Sequence, residues 1–364
     1  MKVLLVVTNA DLAGAPIHVL EIVKELKMLD VLTEVVFGEE GPIKKSIELK
    51  GVRTHLIPTL RSNINLFQDI SSFSSLNEVI YRVKPDVVHC HSSKAGLISR
   101  LVCSRLNVPV VYTIHGWGFG PGRRRWVSLF VYLTEVFLAK KTSKFISVSE
   151  EDRRIGVECL KISPDSIVTI YNGISFKSSH SGFRPKKANL IMVARNDPQK
   201  DYPTLFKSLR TASFDKAFLI GRGTDDIDFI NKARNLMPDS VFSKIEFLGI
   251  RNDIEKLLEK ASFFVLATNF EGLPISIIEA MSKSLPIVAS NVGGISELVT
   301  DHFNGFLINR GDSDSLSRHI SLLSNDLSLR HKLGQRSMDR YELLFTSKSM
   351  VLNILKVYEE VANL

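Results

Sequence analysis

Residues 3–26 read VLLVVTNADLAGAPIHVLEIVKEL, and the change of rhythm inside them decides the fold class. Residues 3–8 are a nearly continuous apolar run, the pattern of a strand buried on both faces. Residues 9–15 make a turn, and from Pro16 onward Ile17, Leu20, Val23 and Leu26 recur at helical spacing. A strand, a tight turn and an amphipathic helix form the repeating unit of α/β folds with parallel sheets. The apolar run is five residues long and lacks a basic stretch before it, so it reads as a first strand and not a secretory leader.

The same rhythm continues outward. Further strands are expected over residues 33–37, 86–90, 110–114, 144–148 and 167–170, and Ser149 before Glu150, Glu151 and Asp152 reads as a helix N-cap with acids in the first turn. The pattern lapses at residues 176–187, FKSSHSGFRPKK, which have no periodic apolar face and read as an interdomain linker. A second series follows, with strands expected over 189–194, 217–220, 245–248, 263–266 and 286–289 and helices over 202–209, 254–260 and 275–283. A chain of 364 residues suits two domains. The expected division is one Rossmann-like domain over 1–175, the linker 176–187, a second Rossmann-like domain over 188–345, and a helix over 346–364 packing back on the first domain. Two such halves facing each other leave a cleft, where ligands bind.

Composition narrows the class. With 44% hydrophobic and 24% charged residues the chain is globular, and its three cysteines, Cys90, Cys103 and Cys159, are too few for a disulfide framework. That usage suits a reducing, cytoplasmic compartment. No apolar stretch reaches the roughly 18–20 residues that span a bilayer; the longest, 126–139, contains Thr134 and Glu135. A net charge of +8 favours anionic partners, but no nucleic-acid-binding signature accompanies it, and nucleic acid is not expected. Arg123, Arg124, Arg125 and Trp126, followed by Leu129, Phe130, Leu133 and Phe137, fit either a helix lying on an anionic membrane or one facing the domain core.

Four segments carry chemistry. In residues 271–279, EGLPISIIE, Gly272 permits a tight path and Pro274 suits a first helical turn, whose free N–H groups make an anion site. Glu271 and Glu279 could accept bonds from sugar hydroxyls at two points of one ligand; a capping and a surface carboxylate fit the spacing as well. Arg195 and Lys200, after an expected strand, suit a diphosphate clamp or a solvated loop. Small residues at Ala13, Gly14 and Ala15 would let a phosphate approach the backbone, without the G-x-G-x-x-G fingerprint of nicotinamide enzymes. His115, in HGWGF, could bond a substrate hydroxyl or be structural. His89 and His91 share one strand face, but no third ligand stands near them in sequence, and no metal site is assigned there. Asp226 and Asp228 read as a solvated loop pair.

Together these segments resemble the family 4 retaining glycosyltransferases of the GT-B fold, over nearly the whole chain. The resemblance is most specific in residues 271–308, EGLPISIIEAMSKSLPIVASNVGGISELVTDHFNGFLI, which match the family's E-x₇-E block and the Gly293-Gly294 turn after it. Residues 195–200, RNDPQK, the HGWGF segment and the Gly14 turn add to it, and residues 91–100, HSSKAGLISR, resemble members that build bacterial surface polysaccharides. The resemblance implies that Arg195 and Lys200 hold the donor diphosphate, that Glu279 binds the ribose, and that Glu271, with Gly272 and Leu273, holds the hexose. It implies contacts to the donor at Gly14, Gly221, Gly249 and Ile250, a hexose contact at His115, and an acceptor side at His91, Ser92 and Lys94. Ala13 stands where the family has the first of paired glycines, which leaves the details of that loop open. The implied reaction needs no metal and no other cofactor. It moves a hexose or N-acetylhexosamine from a nucleotide diphosphate sugar to a saccharide or lipid-linked saccharide, at the cytoplasmic face of the inner membrane. The rival readings are a nucleotide-sugar epimerase of the same architecture and a non-catalytic nucleotide-sugar-binding protein.

Overall fold

The computed structural model describes residues 1–63, 65–119, 125–175 and 187–362. The chain divides into two compact units, Met1–Ser175 with Thr346–Leu364, and Phe176–Phe345. Most of the expected linker, residues 176–186, and Arg123 and Arg124 of the basic stretch lie outside the described residues.

The first unit is built on seven strands: β1 (Lys2–Val7), β2 (Leu32–Phe37), β3 (Arg53–Leu56), β4 (Val87–His91), β5 (Val110–Ile114), β6 (Lys144–Ser147) and β7 (Ile167–Thr169). All pair in parallel, in the order β3-β2-β1-β4-β5-β6-β7. Chain direction across the sheet reverses between β1 and β4, the switch point where open α/β sheets bind ligands beyond the strands' carboxyl ends. The register sets Val7 opposite His91 and His91 opposite Thr113, so the loops after β1, β4 and β5 emerge side by side. Helices cover both faces, which is why β1 and β4 are buried almost throughout.

The helix Ser347–Ala362 closes one face of this unit. Its Met350, Val351, Ile354, Val357, Tyr358 and Val361 share a core with Val3, Leu5, Val19 and Ile22. The chain re-enters through a bridge between Ile174 and Thr346, where Ser347 donates to the Ile174 carbonyl at 3.0 Å. On the other face the helix Arg125–Ala139 is tied to the helix Ser93–Leu106 by one buried ion pair. Arg100 Nη1 and Nη2 meet Glu135 Oε2 and Oε1 at 2.8 and 3.1 Å, with the guanidinium 4.3 Å from the Tyr112 ring centre. The apolar stripe of that helix turns outward: Trp126, Leu129, Phe130, Leu133 and Phe137 are 56–66% exposed. Of the two placements the sequence allows, core-facing packing is therefore ruled out for these side chains.

The second unit repeats the plan with β8 (Asn189–Val193), β9 (Lys216–Ile220), β10 (Ile245–Phe247), β11 (Phe263–Leu266), β12 (Ile287–Ser290) and β13 (Gly305–Ile308). They too are all parallel, in the order β10-β9-β8-β11-β12-β13, with the switch point between β8 and β11. Two strands have no counterpart in the sequence reading, β3 and β13. Each is four residues long and lies at a sheet edge; β3 is partly exposed and carries no apolar run, whereas β13 is apolar and mostly buried but short. Among the described residues no helix is long and apolar enough to cross a membrane.

Candidate active site

At the second unit's switch point the loop after β8 and the loop after β11 are laced together. Asn269 N–H donates to the Gln199 carbonyl at 2.8 Å, Asp201 N–H to the Ala267 carbonyl at 3.0 Å, and the Gln199 amide to the Phe270 carbonyl at 2.7 Å. This lacing brings together Lys200 and Glu271, 71 residues apart in sequence, as an ion pair with the two side chains 11% and 7% exposed. Glu271 also receives the Gln199 amide at 3.1 Å, and the Thr268 hydroxyl lies 2.8 Å from its Oε1. Arg195 sits at the same strand end, paired with Asp197 and half-exposed, its guanidinium 3.4 Å from Gln199 Oε1. The cations and the carboxylate that the sequence singled out therefore share one strand-end site.

The turn Gly293-Gly294 holds the back of this site. Gly293 has φ +54°, and a Cβ there would stand 1.9 Å from the Glu271 carbonyl oxygen; Gly294 N–H donates to the Gly272 carbonyl at 3.0 Å. Only glycine combines that left-handed backbone with so close an approach. Leu273 is buried, and Pro274 is the N-cap of the helix Ile275–Ser282, one position earlier than a first-turn proline. Glu279, on that helix, is 9% exposed. Gly221 (φ +140°) donates to the Gly249 carbonyl at 2.8 Å, joining the ends of β9 and β10, while the Ile250 side chain is exposed.

The first unit's switch point is made of different material. Gly14 opens the helix Gly14–Met28, and no atom lies within 4 Å of where its Cβ would stand, so there is empty space beside its Cα. Ser92 ends β4 with φ +75° and ψ 150°, a strained conformation for a residue with a side chain, and its hydroxyl is 3.1 Å from that of Thr8. Lys94 is placed differently from its neighbours: its ammonium meets both carboxylate oxygens of Asp69 at 2.7 and 2.6 Å, tying two helices together.

The histidines converge. His91 Nδ1 lies 3.3 Å from His115 Nε2, and the His18 ring, from the first helix, stands 4.8 Å from the His115 ring and 5.3 Å from that of His91. His89, one strand position pair behind, is satisfied by the Tyr358 hydroxyl at 2.5 Å and that of Thr113 at 2.6 Å. Burial holds all four rings neutral. It pushes His115 down to about 4 and His89 to about 3, the latter with help from His115, and His18 and His91 go well below the ordinary imidazole value by burial and neighbouring imidazoles. His18 and its place beside His91 escape a spacing test, because the ligand-bearing elements meet only through the sheet register.

The matches to known proteins follow this geometry. Residues 12–177 match the model of Glycosyltransferase Family 4, and residues 174–340 that of Glycosyl transferases group 1. An Escherichia coli relative, UDP-Gal:alpha-D-GlcNAc-diphosphoundecaprenol alpha-1,3-galactosyltransferase, is 33% identical over 313 residues, 80% of this chain and 80% of that protein. The chain belongs to the family 4 glycosyltransferases. This glycosyltransferase is also 24% identical, over 96% of its length and 97% of the relative's, to the N,N'-diacetylbacillosaminyl-diphospho-undecaprenol alpha-1,3-N-acetylgalactosaminyltransferase of Campylobacter jejuni. Its fold is GT-B: the crystal structure of Anabaena HepE in complex with UDP-glucose superposes with a TM-score of 0.84 at 20% identity, covering 99% of this chain and 100% of that one.

Proposed function

We propose that this glycosyltransferase moves a hexose or N-acetylhexosamine from a nucleotide diphosphate sugar to a saccharide or lipid-linked saccharide in surface polysaccharide biosynthesis, with retention at the anomeric carbon and no metal cofactor. The observation that carries the reading is the Lys200–Glu271 pair at the second unit's switch point, with Arg195 at the same strand end. In the free protein each charge neutralises the other. When a donor arrives, Lys200 and Arg195 take its diphosphate and Glu271 is released to the hexose hydroxyls, so the carboxylate is already desolvated and oriented. Two cations and the N-terminus of the helix Ile275–Ser282 supply the positive charge that a departing nucleoside diphosphate requires. Glu279 takes the ribose, Gly221, Gly249 and Ile250 flank the base, and Gly14 offers amides to phosphate. His115, neutral and unable to repel an oxocarbenium-like centre, donates to the hexose; His91 and Ser92 serve the acceptor side. The names of the two relatives, both acting on diphosphoundecaprenol-linked sugars, support a lipid-linked acceptor.

Such an acceptor places the enzyme at a membrane, and the outward stripe Trp126, Leu129, Phe130, Leu133 and Phe137, with Arg125 at one end and Lys140 and Lys141 at the other, suits an anionic bilayer on the cytoplasmic side. The epimerase and binding-protein readings lose support because the relatives are transferases. The test is calorimetric binding of UDP, GDP and ADP followed by donor-dependent release of nucleoside diphosphate. One nucleotide should bind selectively, lose affinity in Lys200→Ala, and be released rapidly only when acceptor is present. Folded protein that binds none of the three overturns the reading.

A further inference from the structure

His18, His91 and His115 come from three separate elements, yet one ring nitrogen of each lies within 4.8 Å of one nitrogen of the other two. Zinc binds imidazole nitrogen at about 2.0–2.1 Å, which puts two tetrahedral ligand nitrogens roughly 3.3 Å apart. The His91 Nδ1 to His115 Nε2 distance is already 3.3 Å, and a separation of up to 4.8 Å elsewhere in the set has to close by about 1.5 Å. His91 is fully buried; the nitrogen it brings to His115 is Nδ1, while its Nε2 finds no hydrogen-bond partner. His115 is only partly buried and gives access from outside. Three imidazoles with the fourth position open is the arrangement of an exchangeable site, not of a closed structural one.

We infer that His18, His91 and His115 form a binding site for a zinc-class divalent ion, and that its occupancy inhibits the transferase by withdrawing His115 from substrate. The inhibitory half rests on the hexose contact proposed for His115; the binding half rests on geometry alone. The three rings are held neutral by burial, so no proton has to leave when the metal enters. His89 is outside the set because both its nitrogens are engaged by hydroxyls, and it braces His91 from behind at a ring separation of 4.1 Å.

The full chain, stripped with chelator, is titrated with Zn²⁺ by calorimetry and with Co²⁺ by visible absorption, and the Zn²⁺ form is examined by X-ray absorption. The expected result is one equivalent bound, a tetrahedral Co²⁺ spectrum and about three imidazole ligands. Binding should be lost in His18→Gln and His91→Gln and kept in a His302→Gln, Cys159→Ser variant that removes an exposed imidazole and the exposed thiol. Should the buried variants fail to fold, the imidazole count on the unaltered protein still decides. No stoichiometric binding, or binding that survives in folded His18→Gln and His91→Gln, overturns the site. Donor-dependent turnover in the presence of one equivalent of Zn²⁺ should fall at least about tenfold and recover with chelator; tight binding with unchanged turnover supports the site and overturns the role given to His115.

Discussion

The two units share a strand order and a switch point but furnish them with opposite chemistry. In the second unit the strand-end loops carry charges paired with one another, Lys200 with Glu271 and Arg195 with Asp197. In the first unit the equivalent loops carry neutral imidazoles packed against each other and against hydroxyls. The difference fits the division of labour proposed above: a site for a multiply charged leaving group would keep countercharges in reserve, whereas a site for sugar hydroxyls would need donors and acceptors without net charge. It also makes the units respond differently to the same perturbation.

Acid should separate them most. A histidine whose pKa is lowered in the native state contributes stability above the unfolded value near 6.5, and loses it as pH falls, because the unfolded chain takes up a proton that the native one refuses. With His115 near 4, His89 near 3, and His18 and His91 also well below the ordinary value, the loss begins below about pH 6.5 and continues to about pH 3. The slope is about 1.4 kcal/mol per pH unit for each such histidine. Among the described residues of the second unit only His319 is shifted this way, by burial first. Both tryptophans, Trp117 and Trp126, lie in the first unit, so their fluorescence follows that unit alone. A urea midpoint by tryptophan emission that stayed constant from about pH 7 to pH 5 would falsify the claim that these rings are held neutral.

Removing one charge at the second unit's site comes next. Lys200→Ala leaves Glu271 mostly buried without its cation, a change that costs about 3–5 kcal/mol when an ion pair is broken from one side. Donor-dependent turnover should fall by tenfold or more, since a charge-assisted hydrogen bond contributes about 1.5–3 kcal/mol. The double variant Lys200→Ala, Glu271→Gln should regain thermal stability and stay inactive. Recovery of both together, or loss of neither, breaks the idea that the pair exists for the donor.

Much of this was legible in sequence, and the reason is physical. β1, β8 and β11 stand at the centres of covered sheets and are nearly continuous apolar runs, so they announce themselves, while β4 is buried throughout but carries His89 and His91. Arg195, Lys200 and Glu271 lie at the ends of such strands, and the strand-end rule places them together once the strand order is assumed. The edge strands β3 and β13 and the outward face of the helix Arg125–Ala139 were not legible, because an amphipathic spacing shows that a stripe exists and not which side it faces. The histidine cluster was invisible for a related reason: parallel register, not chain proximity, sets His18, His91 and His115 side by side. Lys94, which the resemblance places on the acceptor side, pairs with Asp69 on a helix that no local pattern connects to it.

A backbone change tests the second unit without touching its charges. Gly293→Ala forces a left-handed conformation on a residue with a Cβ, which costs about 1–2 kcal/mol, and drives that Cβ against the Glu271 carbonyl. The loop must shift and carry Glu271 with it. Expected outcomes are a melting temperature lower by a few degrees and a rise in donor KM at retained nucleoside diphosphate affinity, because the hexose contact moves while Lys200 and Arg195 keep the phosphates. An unchanged donor KM would detach Glu271 from the hexose.

Arg195→Ala should have the smallest effect on folding and a selective one on chemistry. The side chain is half-exposed and its ion pair with Asp197 is short-range and solvated, so the melting temperature should stay within error. The guanidinium's worth appears only when a diphosphate lies against it, and there the loss is about tenfold in turnover. In its proposed role Arg195 neutralises charge that grows as the leaving group departs, so the deficit should fall on kcat more than on KM. A loss confined to KM would make Arg195 a binding cation of the ground state, and would leave Lys200 as the residue that carries leaving-group stabilisation in the second unit.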